Sequence, residues 1–461
     1  MGLFGTMYVG YTGLFTDSLA TKVTADNITN LNTTGFKGAR SEFADNLVRY
    51  SEVFGRERGY GTHIKAIRTL FTQGGIQTTD LPTDLAINGK GYFIVSDTKG
   101  NYFYTRDGQF FINEVDKDYF GLQNSLRMSL LGADPKVEKG DLQGLKPTLI
   151  PKVMPAKATS ILAPHLILDS RKPINSQTLI EKYDAQLSPQ TPLTEGKYDW
   201  VFDLYMYDSL GELIPLRLYV DKGDNPNTYE ILLGLTDSSI DGRGAGKMQG
   251  AFLYGNLTFG GSGEIVQADF WNVNLDGTLS PIDLTAFGKP KTTLNIKGNS
   301  QELLLDLGFS VNPNGSIERE ATSIKMLATP FSQLGFLQDG YPTGVFERIE
   351  VINEEGLIRA WYTNQKEIEV ARLFLADFSG YEDSLIKIGN GLFTAKSGTE
   401  VYLFIPGSGE RGRILSGALE TSNVDLANEM ISLIMLQRSF QSNSRVITTA
   451  DQMLEDFLRQ R

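Results

Sequence analysis

The chain has 461 residues, 43 Lys and Arg against 55 Asp and Glu, a net charge of −12, no cysteine and only two histidines. An acidic chain without a basic stripe does not fit a nucleic-acid binder. The missing Cys excludes disulfides and thiolate metal sites. His63 and His165 stand apart in sequence, so neither a His-centred triad nor a metal site is expected. No apolar run is long enough to span a bilayer, and the length predicts two to four domains.

In chain order, Phe4, Tyr8, Tyr11, Phe15 and Leu19 recur at steps of four and three, the apolar strip of an amphipathic helix. Gly2, Gly5, Gly10 and Gly13 weaken it, each interior Gly costing about 1 kcal/mol relative to Ala. The segment is therefore expected to be disordered alone and helical only against other helices. At residues 27–38, NITNLNTTGFKG, Asn and Thr compete with helical hydrogen bonding and Gly35 offers turn geometry, so the helix must end there. Residues 39–75 mix charged and aromatic residues and carry no firm assignment.

Strand signals begin near residue 76. GYFIVSD reads as a buried strand, residues 97–100 as a turn, and NYFYTRD as a strand running into Asp107-Gly108. Pro147, Pro151 and Pro155 mark an extended crossing into another domain. Many short strands follow over 160–315, with a hairpin turn at residues 209–212, as in a sandwich or barrel. Strands resume after residue 343.

From about residue 423 one long helix is predicted, with Ser422 or Asn423 as its cap and Asp425 near the positive end of its dipole. Its length is roughly 50 Å at ~1.5 Å per residue. Leu426, Leu433, Phe440, Ile447 and Leu454 recur at a strict seven-residue step. The companion column, Met430, Gln437, Ser444, Asp451 and Leu458, is apolar only at its ends. Periodicity alone leaves open an ordinary surface helix lying on its own core. The length, the terminal position and the polar companion column favour a seam shared among several partners.

No catalytic, cofactor-binding or metal-ligating constellation emerges, and no cofactor is expected. DGRGAGKMQG at 241–250 fails as a phosphate loop, because Asp241 stands where Gly is needed and Met248 where Ser or Thr is needed; a mobile hairpin is the better reading. Asp221, Asp224 and Asn227 lack calcium-loop spacing, and Glu354 and Glu355, being adjacent, point to opposite faces of a strand.

At Asn27–Lys37, NITNLNTTGFK resembles the rod and hook family of bacterial flagellar axial proteins, whose signature is an Asn-rich break ending in Thr-x-Gly-Phe-Lys. GGIQTTDLPTDLAINGKGYFIV, YTRDGQF and the block SGALETSNVDLANEMISLIMLQRSFQSNSRVITTADQML extend the likeness in the family's order. The hook branch is the better match, through YDSLGE at 207–212, QDGYPTG at 338–344, EEGLIRAWYTNQ, LADF and IGNGLF. The motif residues carried over are Asn27, Asn30, Thr34, Gly35, Phe36, Lys37, Ser422, Asn423 and Asp425.

The resemblance implies a mixed, mainly β fold: discontinuous β-rich domains, with N- and C-terminal helices that pair in an assembled tube. The expected divisions are 1–30 with 418–461 for the helical part and 31–75 with 390–417 for a connecting segment. An inner β domain is expected at 76–155 with 318–389, and an outer β domain at 156–317, single or double. The seam residues are Phe4, Tyr8, Tyr11, Phe15, Leu19, Leu426, Met430, Leu433, Phe440, Ile447, Leu454 and Leu458. The implied function is a non-enzymatic subunit polymerising into the flagellar hook, a curved universal joint between rod and filament. A distal rod or junction protein is the near alternative; a secreted β-rich binding or carbohydrate-acting protein is the remote one. Implied partners are sister copies, the rod, the hook cap, junction and length-control proteins, and the flagellar type III export apparatus. Nucleic acid is excluded and the chain is not membrane-embedded. Localisation to the basal body–hook outside the cell, without a cleaved leader, completes the expectation.

Overall fold

The computed structural model describes residues 3–47, 59–284, 288–408 and 411–459. It is mainly strand, with long helices only at the two ends, Leu3–Thr29 and Leu426–Arg459. The chain forms two compact units, Met1–Lys152 with Phe346–Arg461, and Val153–Val345.

The inserted unit, Val153–Val345, is a sandwich. An antiparallel meander runs Trp200–Tyr207, Leu213–Lys222, Thr228–Leu235, Ala251–Phe259, Ile265–Val273 and Leu279–Pro281, each strand pairing with the next. Along Trp200–Tyr207 the alternate residues Phe202, Leu204 and Met206 are buried, the period of two expected when one face meets a core. In the second sheet Ile161–Asp169 is central, parallel to Asn299–Leu305 and Lys325–Leu327 and antiparallel to Ser332–Gln338. Leu162, Leu166 and Leu168 share one hydrophobic core with Leu216, Ile231 and Phe252 of the meander. All eight residues of Thr228–Leu235 are buried, because its far side is covered by a second cluster containing Leu179, Tyr183, Leu232 and Met248.

The pairing of Lys325–Leu327 and Ser332–Gln338 with Ile161–Asp169 places the return crossing at 345/346, not at 317/318 as the sequence boundaries had it. Two motifs meet inside this unit. Asp339 accepts from the Ser160 N–H at 2.7 Å, the Ser160 hydroxyl at 2.7 Å and the Ile161 N–H at 2.9 Å. Burial pushes the Asp339 carboxyl up, but these donors and Lys157 outweigh it and hold it well below the usual carboxylate range. Beside it, Thr159 Oγ1 donates to Gln338 Oε1 at 3.0 Å and accepts from the Tyr207 N–H at 2.8 Å. The QDGY and YDSLGE segments thus clamp the strands that enter and leave the sandwich. Residues 241–250 are not a free hairpin: buried Asp241 binds the Arg243 guanidinium at 2.8 Å and the Gly250 N–H at 2.7 Å, closing the loop on itself.

In the other unit one antiparallel sheet runs Gly344–Ile352, Leu357–Tyr362, Glu367–Leu373, Ser129–Ala133, Phe93–Ser96, Tyr102–Thr105, Leu392–Ala395 and Leu385–Gly389 in spatial order. Phe93–Ser96 is buried throughout, matching its unbroken apolar run. Its core is aromatic, with Tyr92 edge-on to Phe378, Tyr381 and Phe393. The segment 390–417, expected to be a connector, belongs to this body instead. Leu392–Ala395 pairs with Tyr102–Thr105, and Arg413–Ser416 pairs with Leu85–Asn88. The unassigned stretch after residue 38 is an antiparallel pair, Ala39–Leu47 with Gly59–Thr69.

Candidate functional site

The two terminal helices, of 27 and 34 residues, pack on each other within one chain. Gly10 lies at Ile447, Asp17 at Asn443 and Asn27 at Glu429, so the helices run antiparallel. The paired face of the first helix is built of small and polar residues: Gly10, Thr12, Gly13, Thr16, Asp17, Ala20, Thr24 and Asn27 are all buried. A Cβ at Gly10 would sit 2.8 Å from Ile447 Cγ1 and 3.3 Å from the Asn443 carbonyl, so the missing side chain sets the approach. Asn443 Nδ2 donates to Asp17 Oδ2 at 2.9 Å and Asn27 Nδ2 to Glu429 Oε1 at 2.9 Å, one polar bridge mid-helix and one at the base. Thr16 donates its hydroxyl to the Thr12 and Gly13 carbonyls, which satisfies a buried polar group.

The aromatic strip faces elsewhere. Phe4, Tyr8, Tyr11 and Phe15 are exposed at 77, 45, 60 and 56 %, and only Leu19 is half-buried. As the contact between the chain's own helices, that strip is therefore corrected to the Gly-Thr-Ala face. The glycines that make the segment a poor isolated helix are what allow it to be a closely packed one. On the second helix the seven-step column is partly used: Leu433, Ile447 and Leu454 are half-buried, whereas Leu426, Met430, Phe440 and Leu458 remain exposed. A second stripe, absent from the sequence reading, consists of Ile431, Met435, Val446, Met453 and Phe457, all exposed. Its steps of four, eleven, seven and four keep it on one side of the helix.

Replacing Gly10 with Leu gains about 1 kcal/mol of helix propensity and loses about 1–3 kcal/mol to overpacking against Ile447. The expected result is a shorter-lived helix pair, read as faster amide exchange over residues 3–29; unchanged exchange would contradict the close approach.

At the root of the helix pair the motif segments converge. Glu420 is fully buried; its Oε1 accepts from Lys37 Nζ at 2.7 Å and the Gly74 N–H at 2.9 Å, and its Oε2 from Arg106 Nη1 at 3.0 Å. The Glu420 carbonyl accepts from the Gly35 N–H at 2.7 Å. Gly35 has φ +65°, and a Cβ there would meet the Arg106–Asp107 peptide at 2.5–2.7 Å, so no other residue fits. Burial pushes the Lys37 amine down, and Glu420 opposes that shift. Arg106 lies over the Tyr92 ring at 5.1 Å and donates to the Ile87 and Gly89 carbonyls.

The other motif residues serve the same root. Phe36 is buried beneath the Lys387 ammonium, 3.8 Å from its ring centre. Asn423 accepts from the Gly38 N–H at 2.8 Å and donates to the Leu70 and Thr72 carbonyls. Asn27 adds bonds to both backbone groups of Ala39. Asn30 bonds only within its own turn. Thr34 sits in that turn, half-buried. With Asn423 committed and Ser422 bonded only to the Val424 N–H, the helix cap is Asp425, which takes the Ala427 N–H at 2.9 Å. Glu420 and Arg106 were missed as site residues. Their sequence surroundings carry no such signal, since Arg106 stands beside Asp107 in YTRDGQF and Glu420 is followed by Thr421 and Ser422.

Among the described residues no group of three or more His, Asp or Glu could hold a metal ion. No described helix is long and apolar enough to cross a membrane.

Four family models match. They are described as flagella basal body rod protein (residues 7–37), flagellar hook protein FlgE/F/G D1 domain (86–118), flagellar basal body protein FlaE D2 domain (171–341) and flagellar basal body rod FlgEFG protein C-terminal (415–460). The chain is similar to the flagellar hook protein FlgE of Borreliella burgdorferi, 29% identical over 98% of this chain and 99% of that one. FlgE of Salmonella typhimurium is 28% identical over 95% and 96%. A crystal structure of Helicobacter pylori FlgE2 covers 75% of this chain and all of its own, at 15% identity and a TM-score of 0.43.

Proposed function

The chain belongs to the flagellar hook protein family, and from that premise we propose that its copies polymerise through their paired terminal helices into the hook, with the β-rich units carried outside them. One observation carries the reading. After the two helices have covered each other, Phe4, Tyr8, Tyr11 and Phe15 on one and Ile431, Met435, Val446, Met453 and Phe457 on the other remain exposed. Among the described residues Tyr60 meets Tyr8 at 4.9 Å between ring centres, yet both stripes keep large apolar side chains exposed, which neighbouring copies would cover. Such heterologous contacts continue indefinitely when the rotation between copies does not close a ring.

Contacts with the rod, the cap, junction and length-control proteins, and passage through the type III export apparatus, belong to the same proposal. The family likeness supports them. The sandwich unit and the near-full-length match to hook proteins favour the hook over a straight rod component.

The test uses Met435→Asp and Met453→Asp. A carboxylate in an apolar contact costs several kcal/mol. About 3 kcal/mol corresponds to a ~150-fold higher critical concentration. The full-length variants are expected to keep wild-type helix content by circular dichroism while sedimenting as monomers and forming no tubes by electron microscopy. Tubes at wild-type concentration would end the proposal.

A further inference from the structure

The segment that covers the far side of the sandwich meander is held by charges as well as by apolar packing. Its short helix, Leu179–Lys182, starts where the Leu179 N–H donates to buried Glu230 at 2.8 Å. At the helix end Lys182 Nζ donates to Asp221 Oδ2, a contact in which the aspartate side chain is 1 % exposed and the lysine 12 %. Asn175 Nδ2 donates to Oδ1 of the same carboxylate at 2.6 Å. Asp221 and Glu230 are direct partners across the ladder of Leu213–Lys222 and Thr228–Leu235, so their carboxyls share one face, about 5 Å apart at Cβ. Leu179, Tyr183 and Tyr254, next to these groups, are buried in one apolar cluster. Burial pushes both carboxyls up, towards the uncharged acid.

We propose that Lys182 and Asp221 condense into an intramolecular amide, a covalent staple between the covering segment and the sheet. Nζ, in contact with Oδ2, stands within the about 3–3.5 Å of Cγ that attack requires. The ammonium passes one proton to Glu230, and the freed lone pair adds to Asp221 Cγ. Negative charge gathers on Oδ1, where the Asn175 amide already donates. As the C–N bond forms, the C–Oδ2 bond breaks. Oδ2 leaves as water with two of the three ammonium protons, one of them relayed by Glu230; the third stays on the amide nitrogen. Glu230 ends as it began, and no oxidant, reductant or co-reactant is consumed. The exchange replaces a desolvated ion pair with a neutral amide, which removes two charges from a buried site.

The experiment weighs the full-length protein by mass spectrometry after unfolding it in denaturant, then digests it with trypsin. The wild type is expected to be lighter than its sequence by one water and to resist cleavage after Lys182. Residues 172–197 and 218–222 should appear as one branched peptide joined through Lys182 and Asp221. Lys182→Arg should retain the full sequence mass. Glu230→Gln, which keeps an acceptor for the Leu179 N–H, should lower the linked fraction at least tenfold. A wild-type chain at its sequence mass, with Lys182 open to trypsin, overturns the proposal. So does a water lost without the branched peptide, the mark of an aspartate cyclised on its own backbone. Full linkage in Glu230→Gln overturns the proton relay. Each reading is made on single chains, so the outcome is separate from that of the polymer proposed above.

Discussion

Glu420→Leu is expected to destabilise the unit built from Met1–Lys152 and Phe346–Arg461 by about 3–5 kcal/mol, the cost of breaking a buried ion cluster from one side. Leucine fills the volume but leaves Lys37 and Arg106 facing each other without a counter-charge. The lysine has one escape. Its amine is already lowered by burial, and without Glu420 it falls further, so it can shed its proton. The arginine has none, being charged at every accessible pH. A lysine whose folded pKa is depressed binds its proton less tightly folded than unfolded. Stability is therefore regained as pH rises through the folded value and is fully restored only above the unfolded one, ~10.4. The variant's deficit should be largest near neutrality and should shrink towards pH 10. Denaturant titrations at pH 7 and pH 9.5 check this, and a pH-independent deficit would mean Lys37 never feels the carboxylate.

Removing residues 425–461 should abolish assembly at any concentration and cost more helix than it deletes. The cut spares Glu420 and Asn423, so the root stays intact. It uncovers Gly10, Gly13 and Asp17, whose partners are Asn443 and Ile447. A Gly-containing helix of this length is marginal in water without a packed face. The segment 3–17 should therefore unravel, while Asn27, bonded to Ala39, keeps the last turns. Circular dichroism is expected to show strand content unchanged and helix loss exceeding the 34 residues of the second helix. A truncated chain that retained helix over 3–17, or that still formed tubes, would show that the second helix is not what supports the first.

Local pattern sufficed where burial is one-sided and short-range. The unbroken run at Phe93–Ser96 reads as a buried strand because no polar residue interrupts it. The alternation through Trp200–Tyr207, with Asp203 on the exposed face, matches a sheet with one buried side. The terminal helices were legible from their periods, but their contact faces were not. Periodicity finds the apolar side, and here the helices meet through Gly, Thr and Ala, a face whose energy comes from close approach and hydrogen bonds. Bulk hydrophobicity contributes little to it. The aromatic strip stays exposed on the first helix, while the contact within the chain is made by the Gly-Thr-Ala face.

The motif residues divide in the same way. Sequence alone determined that the helix must end near Asn30, that Gly35 must turn, and that the C-terminal block is a long helix, because each follows from the conformational preferences of its own residues. Only the tertiary structure decided that Lys37, Arg106 and Glu420 neutralise one another, that Asp425 and not Asn423 caps the helix, and that 318–345 belongs to the sandwich. Those outcomes depend on which groups meet across hundreds of residues. A charge or an edge strand carries no local record of the partner that will satisfy it.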